Sequence, residues 1–347
     1  MEMILLEDCC DILDFMRVPI TSADRESGKY PYYGANGIQD YVAGYIFDDE
    51  LVLLAEDGGN FGSKNKPIAY RVSGKCWVNN HAHVLKPKKG LDVDYLCYSL
   101  MFYKIDGMVN GATRQKLTQS AMRKMFIPKR NIEEQRQIVD KLNMITEIKN
   151  KRKHQIEEID NLIKSRFVEM FGEYPANPRR WKVGTIKEVV ADVRYGSSRP
   201  AVDGGKYPYL RMNNITYSGE LDLTDIKRIN VPESELEKCT VRRGDVLFNR
   251  TNSKELVGKT CVYNQDEMMV LAGFVIRVRV NEHVLPDFLS TFLNTDFSKK
   301  MLSGMCKAAI GQANINAREM QNIGIYIPPV ELQRQFVQFK EQTTKLK

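Results

Sequence analysis

Apolar residues along this chain fall mostly into short runs separated by turn signals, a pattern typical of strands. The run Leu-Val-Leu-Leu-Ala at 51–55 precedes a Gly-Gly turn, and Val-Leu-Phe at 246–248 is a matching run in the second half. Residues 269–280 form a further β-rich stretch, whereas 94–103 and 285–297 place apolar residues at helical intervals. Strands interleaved with helices predict a mixed α/β (α+β) fold in each half.

The central stretch from 131 to 171 contains no glycine and no proline, and its apolar residues recur at intervals of three and four. This pattern predicts one helix about 60 Å long at 1.5 Å per residue, with the seam of a coiled coil. A single apolar stripe requires a partner helix, and the alternative is a core helix of a bundle. A lysine at a seam position allows three interpretations. It can fix the register of the coiled coil, it can lay its apolar stem along the seam while its charge reaches water, or it can mark the place where the seam opens. The predicted seam residues are Ile138, Leu142, Ile145, Lys149, Ile156, Ile159 and Ile163.

Three short motifs recur in the same order about 180 to 200 residues apart, which indicates a duplicated domain because solenoid repeats are much shorter. The motifs are Gly-Lys-Tyr-Pro-Tyr at 28–32 and 205–209, Asp-Tyr-Leu at 94–96 with Asp-Phe-Leu at 287–289, and Gln-Arg-Gln at 135–137 and 333–335. We therefore predict two similar globular domains, 1–130 and 174–328. The helical segment 131–173 separates them, and a short second helix follows at 329–347.

Composition limits the classes of protein that the chain can belong to. Lysine and arginine outnumber aspartate and glutamate by 51 to 44, which gives the 347 residues a formal net charge of +7. This excess suits a polyanionic partner and is also common in proteins without one. Seven cysteines without a Cys-x-x-Cys pair predict a reduced, cytoplasmic chain with no metal site of that kind. The N-terminus lacks a signal-peptide pattern, and the apolar run at 268–276 is too short to span a bilayer.

Longer motifs in both halves carry a family resemblance. The second half contains Asn-Pro-Arg-Arg-Trp-Lys at 177–182, Gly-Asp-Val-Leu-Phe-Asn-Arg-Thr-Asn-Ser at 244–253, Glu-Leu-Val-Gly-Lys at 255–259, Gly-Gln-Ala-Asn-Ile-Asn at 311–316 and Ile-Pro-Pro at 327–329. The first half contains Trp-Val-Asn-Asn-His-Ala-His-Val at 77–84 and Phe-Ile-Pro at 126–128. With these motifs the chain resembles the specificity (S, HsdS-type) subunits of type I restriction–modification systems.

The resemblance implies internal pseudo-symmetry and two target recognition domains, each reading one half of a bipartite site in double-stranded DNA. It also implies that the helices dock modification (methyltransferase) subunits, with restriction (translocase and nuclease) subunits in the full complex. S-adenosylmethionine, ATP and magnesium are then expected in the partner subunits, with no cofactor in this chain. The second helix is shorter than is usual in full members of the family. The alternatives are a coiled-coil scaffold and a free-standing DNA-binding regulator.

The sequence lacks two motifs that catalytic subunits would carry, and their absence agrees with a subunit that is not itself an enzyme. An adenine methyltransferase would show Asn- or Asp-Pro-Pro-aromatic, but the Pro-Pro at 328–329 stands between Ile327 and Val330. Gly-Lys-Thr at 258–260 resembles the end of a phosphate-binding loop, yet that loop requires a glycine where the chain has Ser253. We therefore expect neither methyl transfer nor nucleotide binding here.

Candidate DNA-binding residues of the second half lie in polar segments beside predicted strands. Arginine can bind guanine and asparagine can pair with adenine, while hydroxyls and lysines hold phosphates. The alternative is a solvated loop. Tyr209, Arg211 and Asn213 alternate along one segment and could face DNA together, unless the tyrosine packs in the core. The candidates of this half are Arg250, Thr251, Asn252, Ser253, Lys254, Lys259, Tyr209, Arg211, Asn213, Gln312 and Asn314.

The first half offers a second set of candidates. Gln115 and Gln312 both lie shortly before the closing segment of their halves, where an amide could read a base or cap a helix. His81 and His83 lie on one side of a strand; packing is favoured over a base contact, and a metal would need further ligands. The candidates of this half are Tyr32, Asn36, Asn80, His81, Arg114, Gln115 and Lys116.

If the long helix sets the unread gap between two half-sites, changing its length should change that gap. Four helical residues inserted near Lys149 lengthen the helix by about 6 Å, which corresponds to roughly two base pairs at 3.4 Å each. Genome-wide mapping of methylated sites measures the gap. An unchanged gap in the insertion variant would exclude the helix as a ruler.

Overall fold

A computed structural model of the chain describes residues 2–111, 114–305 and 313–347. The chain divides into two compact units, Met1–Asn150 and Lys151–Lys347. Strands and helices occur in both, which confirms the mixed α/β class. No helix in these described ranges is long and apolar enough to cross a membrane.

Within its described residues, the first unit contains one six-stranded sheet and two short strand pairs. Its strands are β1 (Met3–Leu5), β2 (Cys10–Ile12), β3 (Ser27–Gly34), β4 (Gly37–Val42), β5 (Phe47–Ala55), β6 (Ala69–Val78), β7 (Ala82–Pro87), β8 (Val109–Asn110), β9 (Lys116–Leu117) and β10 (Phe126–Pro128). The two short pairs are β1 with β10 and β8 with β9. Its helices are α1 (Leu6–Cys9), α2 (Val93–Met101), α3 (Gln119–Arg123) and the start of α4 (Ile132–Phe171), with a 3-10 helix at Asp14–Met16.

The main sheet has the strand order β2-β7-β5-β6-β3-β4, with β5 between β6 and β7. Alternate residues of β5 face opposite sides because side chains of a strand alternate. Val52 and Leu54 belong to one core with Leu96 of α2, while Leu51 and Leu53 belong to a second core. Both faces of β5 are therefore buried, which explains the unbroken apolar run that predicted this strand.

The second unit contains two four-stranded sheets. Its strands are β11 (Lys182–Thr185), β12 (Val190–Tyr195), β13 (Tyr207–Leu210), β14 (Lys227–Ile229), β15 (Thr240–Val241), β16 (Val246–Asn249), β17 (Thr251–Asn252), β18 (Thr260–Val262), β19 (Met269–Leu271), β20 (Val275–Val280), β21 (Ala313–Asn314) and β22 (Gly324–Ile327). Its helices are the end of α4, α5 (Glu233–Cys239), α6 (Pro286–Leu293), α7 (Asp296–Met305), α8 (Ala317–Gln321) and α9 (Val330–Thr344), with 3-10 helices at Ile186–Val189 and Met212–Asn214.

One sheet of the second unit has the order β12-β20-β16-β18 and the other β14-β13-β19-β15. Val246 and Phe248 of β16 face the core that contains Phe288 of α6, while Leu247 faces a second core with Leu271. Strand β16 is therefore buried on both faces, like β5 of the first unit.

The predicted duplication is visible in equivalent pairings of the two units. Strand β1 pairs antiparallel with β10, and β11 pairs antiparallel with β22. In the two copies of Gly-Lys-Tyr-Pro-Tyr, Tyr32 lies in β3 parallel to β6, and Tyr209 lies in β13 parallel to β19. In each unit the first strand thus pairs with the last strand, and the repeated tyrosine lies in a strand that pairs parallel with its neighbour.

The helix predicted over 131–171 is confirmed as one continuous element, α4. Within the second unit, α9 runs antiparallel to its C-terminal part, because Phe336 packs on Phe167 and Lys347 pairs with Asp160. Of the predicted seam residues in this part, Ile163 is buried, and Ile156 and Ile159 are half-buried.

Earlier in α4 the seam is only partly covered. Ile138 and Leu142 are half-buried, whereas Ile145 is 61% exposed and Lys149 is exposed as well. Met144 and Ile148 extend the exposed apolar surface around Ile145. Among the described residues, the middle of α4 therefore keeps an exposed apolar patch.

Candidate nucleic-acid interface

The polar motif of the second unit begins where the buried strand β16 ends. Thr251 of β17 pairs with Asn314 of β21, and its Oγ1 donates to Asn314 Oδ1 at 3.0 Å. The backbone N–H of Ile315 donates to the carbonyl oxygen of Arg250 at 2.9 Å. These bonds bring two predicted DNA-binding segments, distant in sequence, to one edge of the unit.

Arg250 lies at this edge with much of its hydrogen-bonding capacity unused. Its guanidinium carbon is 5.0 Å from the centroid of the Tyr195 ring, and its Nη1 makes one long bond of 3.5 Å to Gly273 O. Its buried Nε has no partner among the described residues. An arginine fork that no carboxylate of the described chain occupies is suited to an acceptor brought by another molecule.

Other predicted residues of this half surround Arg250. Asn252 is half-buried, and its Oδ1 accepts a hydrogen bond from the N–H of Ser253, which also lies half-buried in the following turn. Lys254 and Asn314 are exposed, whereas Thr251 is buried. We define the second recognition surface as Tyr195, residues 250–254 and Asn314. The predicted Gln312 lies outside the described residues.

Lys259 was predicted to face DNA, but the structure buries it. Its Nζ donates to the carbonyl oxygens of Met212 at 3.0 Å and Ile215 at 2.5 Å. Burial lowers the pKa of this ammonium group. Lys259 therefore holds the loop at 212–215, and its cost of burial is offset by these carbonyl contacts.

The predicted common face of Tyr209, Arg211 and Asn213 is also wrong. Strand β13 ends at Leu210 and a 3-10 helix follows, so the alternation of side chains stops there. Tyr209 is buried, Arg211 forms an ion pair of 2.8 Å with Asp225, and only Asn213 is exposed. In the first unit Tyr32 is buried in the same way, and its hydroxyl binds the backbone of Ile20.

The predicted residues of the first unit meet around Asp57. The Oδ1 atom of Asp57 lies 2.8 Å from Nη2 of Arg114 and 2.7 Å from Nδ1 of His81. Asn36 Nδ2 donates to the carbonyl oxygen of Gly58, the next residue, at 3.0 Å. An isolated antiparallel bridge joins Asp57 to Lys116. Four of the candidate residues named from the sequence, Asn36, His81, Arg114 and Lys116, thus lie close together around Asp57.

We define the first recognition surface as residues 56–57 with Asn36, Asn80, His81 and 114–116. Asn80 and Gln115 are exposed within it. Its acids Glu56 and Asp57 were missed, because acidic side chains are not an obvious choice for binding a polyanion. Their position was a usable signal, since they directly follow the buried strand β5 as Arg250 and Thr251 follow β16.

Shared backbone bonds make the two surfaces equivalent. The N–H of Leu117 donates to Glu56 O at 2.7 Å, just as that of Ile315 donates to Arg250 O. Glu56 and Arg250 therefore occupy the same place in the two units but carry opposite charge. Equivalent backbones thus present different side-chain chemistry.

A buried charge network lies behind the first recognition surface. His83 Nδ1 is 2.6 Å from Asp14 Oδ2, and its Nε2 is 2.9 Å from the carbonyl oxygen of Leu117. Both ring nitrogens of His83 therefore lie within hydrogen-bonding distance of oxygen atoms. Arg17 Nη1 lies 2.6 Å from Glu56 Oε2, and Lys116 Nζ lies 3.0 Å from the other Glu56 oxygen.

Asp14, Glu56 and His83 form the group that could hold a metal in the described part of the chain. Arg17 and Lys116 already occupy both oxygens of Glu56, so the cluster has the chemistry of an ion-pair network. Burial raises the pKa of the Asp14 carboxyl, but His83, Gln119 and a backbone amide outweigh it and bring the pKa below its usual range. The network therefore favours ionised carboxylates that hold the surface from behind.

Comparison with known proteins places both units in one family model. A model described as "Type I restriction modification DNA specificity domain" matches residues 1–158 and again residues 178–346. A solved structure of the type I restriction-modification system S subunit from M. genitalium aligns with a TM-score of 0.51. The alignment covers 99% of this chain and 91% of that chain at 14% sequence identity, which is a likeness of fold.

Two curated relatives are similar in sequence. The Haemophilus influenzae protein named "Putative type I restriction enzyme specificity subunit S.HindORF215P" is 39% identical over 141 residues, covering 41% of this chain and 36% of the relative. The type I restriction enzyme EcoKI specificity subunit of Escherichia coli (strain K12) is 23% identical over 313 residues, covering 84% of this chain and 67% of the relative. The matches thus span about one third and two thirds of these relatives' lengths.

Proposed function

The chain belongs to the type I restriction modification DNA specificity domain family, and from this premise we propose that it reads DNA sequence within a type I restriction–modification complex. In this proposal residues 1–130 and 174–328 are target recognition domains, each reading one half of a bipartite site. The helical segments 131–173 and 329–347 serve as spacers and docking elements. The observation that carries the proposal is the equivalent polar edge in each unit, with the fork of Arg250 free of any carboxylate in the described residues.

Differences between the two surfaces support recognition of two different half-sites. Arg250 offers donors that match the O6 and N7 acceptors of guanine, and asparagines such as Asn252 and Asn314 match adenine. On the first surface, Asp57 can accept from the amino group of cytosine while Arg114 supplies donors beside it. Exposed lysines such as Lys254 can neutralise phosphates without reading sequence.

We propose that this chain leaves the chemistry to its partners. Methyl transfer and cleavage, with S-adenosylmethionine, ATP and magnesium, then belong to modification and restriction subunits. The uncovered apolar residues Met144, Ile145 and Ile148 of α4 support docking of a modification subunit, because exposed apolar clusters of this kind mark protein interfaces. A chain that only docks and reads needs no active site of its own.

Co-expression with modification subunits tests the function directly. We expect the complex to methylate adenine within a bipartite motif, as measured by methylome sequencing. Binding of the complex to a duplex with that motif should weaken steeply as salt rises, because phosphate contacts release counterions. Assembly without any salt-sensitive DNA binding would instead support the coiled-coil scaffold.

Arg250→Ala should damage recognition of one half-site only. Loss of a bidentate base contact costs about 1–3 kcal/mol in discrimination, or roughly five- to 150-fold. Methylome sequencing of the variant complex should show a relaxed preference in the half read by the second domain and an intact preference in the other half. Arg243→Ala, which removes an exposed arginine paired with Asp266, is the matched control. Equal loss at both halves would assign Arg250 a structural role.

A further inference from the structure

Phe15 is the most exposed large apolar side chain among the described residues, at 82%. It occupies the middle of the 3-10 helix Asp14–Met16. Met16 and Val18, its near neighbours in sequence, are also exposed. Because its ring is exposed to water, Phe15 adds little hydrophobic stabilisation to the folded chain. Packing within the chain therefore does not explain a phenylalanine at this position.

The turn that presents Phe15 is held on both sides. On one side, the Asp14 carboxylate accepts hydrogen bonds from the Val84 backbone at 2.8 Å and Gln119 at 2.9 Å, and it contacts His83. On the other side, Arg17 donates to the carbonyl oxygens of Asp14 at 3.0 Å and Ala82 at 2.7 Å. The exposed ring thus projects from a fixed backbone, and binding through it loses little conformational entropy.

The same contacts place this turn beside the first recognition surface. Arg17, two residues after Phe15, shares the Glu56 carboxylate with Lys116. In the second unit, Arg250 occupies the place of Glu56 and carries the exposed ring of Tyr195 against its guanidinium. Each recognition surface therefore combines polar side chains with an exposed aromatic ring nearby.

We propose that Phe15 is a specificity-determining residue of the first recognition surface and packs against the C5-methyl group of a thymine. This inference rests on the proposed function and deepens it. Apolar side chains distinguish thymine from cytosine through that methyl group in the major groove. A rigid aromatic anchor surrounded by polar and charged groups has the anatomy of a binding hot spot. The cations Arg17 and Lys116, which share the Glu56 carboxylate close to this turn, favour DNA over an apolar protein partner.

The test uses the assembled complex and a duplex containing its methylated motif. Each thymine of the first half-site is replaced in turn by deoxyuridine, which removes only the C5-methyl group. We expect one such replacement to weaken binding of the unmodified protein by about three- to tenfold, the scale of one buried methyl group. The same replacement should have no effect on Phe15→Ala, which itself binds the normal duplex more weakly by at least that factor.

Phe102→Ala is the matched control, because Phe102 is also an exposed phenylalanine of the first unit, at 55%, and follows α2. It should respond to deoxyuridine like the unmodified protein. The inference is overturned if Phe15→Ala keeps the sensitivity to every deoxyuridine, if the first half-site contains no thymine, or if Phe15→Ala impairs only assembly with the modification subunit. The last result would assign Phe15 to a protein partner. Failure of the proposed function is distinct, since no variant would then bind DNA specifically.

Discussion

Replacing Asp14 with alanine is expected to lower the free energy of unfolding of the first unit by about 3–5 kcal/mol, the usual cost of breaking a buried ion pair. The change deprives His83, which is fully buried, of its nearer carboxylate, and it removes the acceptor of Gln119 and the Val84 amide. Hydrogen exchange in denaturant measures the effect on each unit separately, because a two-unit chain need not unfold in one step.

The matched control for Asp14 is Asp11→Ala, which removes an exposed aspartate of the neighbouring strand β2. We expect that variant to change stability by less than about 0.5 kcal/mol, as is usual for surface substitutions. The second unit should be unaffected in both variants. A loss below about 1 kcal/mol for Asp14→Ala would show that water replaces the carboxylate and that the network contributes little.

Asp14 also makes the stability of the first unit depend on pH. Its folded pKa is lowered, so its contribution is present in full above the pKa of the unfolded chain and is lost as pH falls through the folded value. The free energy of unfolding of the unmodified first unit should therefore fall as the solution is made more acidic than the ordinary aspartate pKa. In Asp14→Ala this acid dependence should be weaker, because the carboxylate that takes up the proton is absent.

Local patterns were sufficient to predict the elements around the sites. The buried strands at 51–55 and 246–248 and the helix over 131–171 follow from apolar periodicity, which depends only on neighbours in sequence. The edges where polar motifs follow β5 and β16 were likewise predictable, because a turn after a buried strand brings the chain to the surface. The motifs at 244–253 and 311–316 also indicated the family that the comparisons then confirmed.

Side-chain burial was less predictable, because it depends on contacts between distant segments. Lys259 follows a glycine in a polar stretch, yet carbonyl oxygens some 45 residues earlier accept its hydrogen bonds and allow it to be buried. Tyr209 is buried because the loop at 197–199 supplies acceptors for its hydroxyl. Neither partner could be identified from the spacing of residues alone.

The first glutamine of the repeated Gln-Arg-Gln motif has the same structural role in both units. Gln333 accepts a hydrogen bond from Leu285 N–H at 2.8 Å and donates to the carbonyl oxygens of His283 and Pro328 at 3.0 and 2.8 Å. In the first unit Gln135 makes the equivalent three bonds, accepting from Asp92 N–H and donating to two carbonyl oxygens. Each glutamine thus ties the start of α4 or α9 to the residue preceding α2 or α6.

We call Gln135 and Gln333 the clamp residues. Replacing one of them should destabilise only the unit that contains it. Gln333→Ala leaves one backbone N–H and two carbonyl oxygens without their partner, and the expected loss for the second unit is about 3 kcal/mol. Gln135→Ala should have the same effect on the first unit. Hydrogen exchange at amides of α6 and α2, respectively, measures the two losses, since each helix begins beside its clamp.

The third residue of each motif provides the control for this pair. Gln137 and Gln335 are exposed and lie two positions after the clamp residues on the same helices. Alanine at these positions removes the same side chain and raises the helix propensity by the same amount as it does at the clamp positions. We expect both controls to keep normal exchange. If Gln333→Ala and Gln335→Ala change hydrogen exchange equally, the three hydrogen bonds of Gln333 would contribute no more to stability than hydrogen bonds to water. The repeated motif would then need another explanation. A loss confined to the clamp positions would instead establish that this interior bond set, rather than base recognition, accounts for the recurrence of the motif.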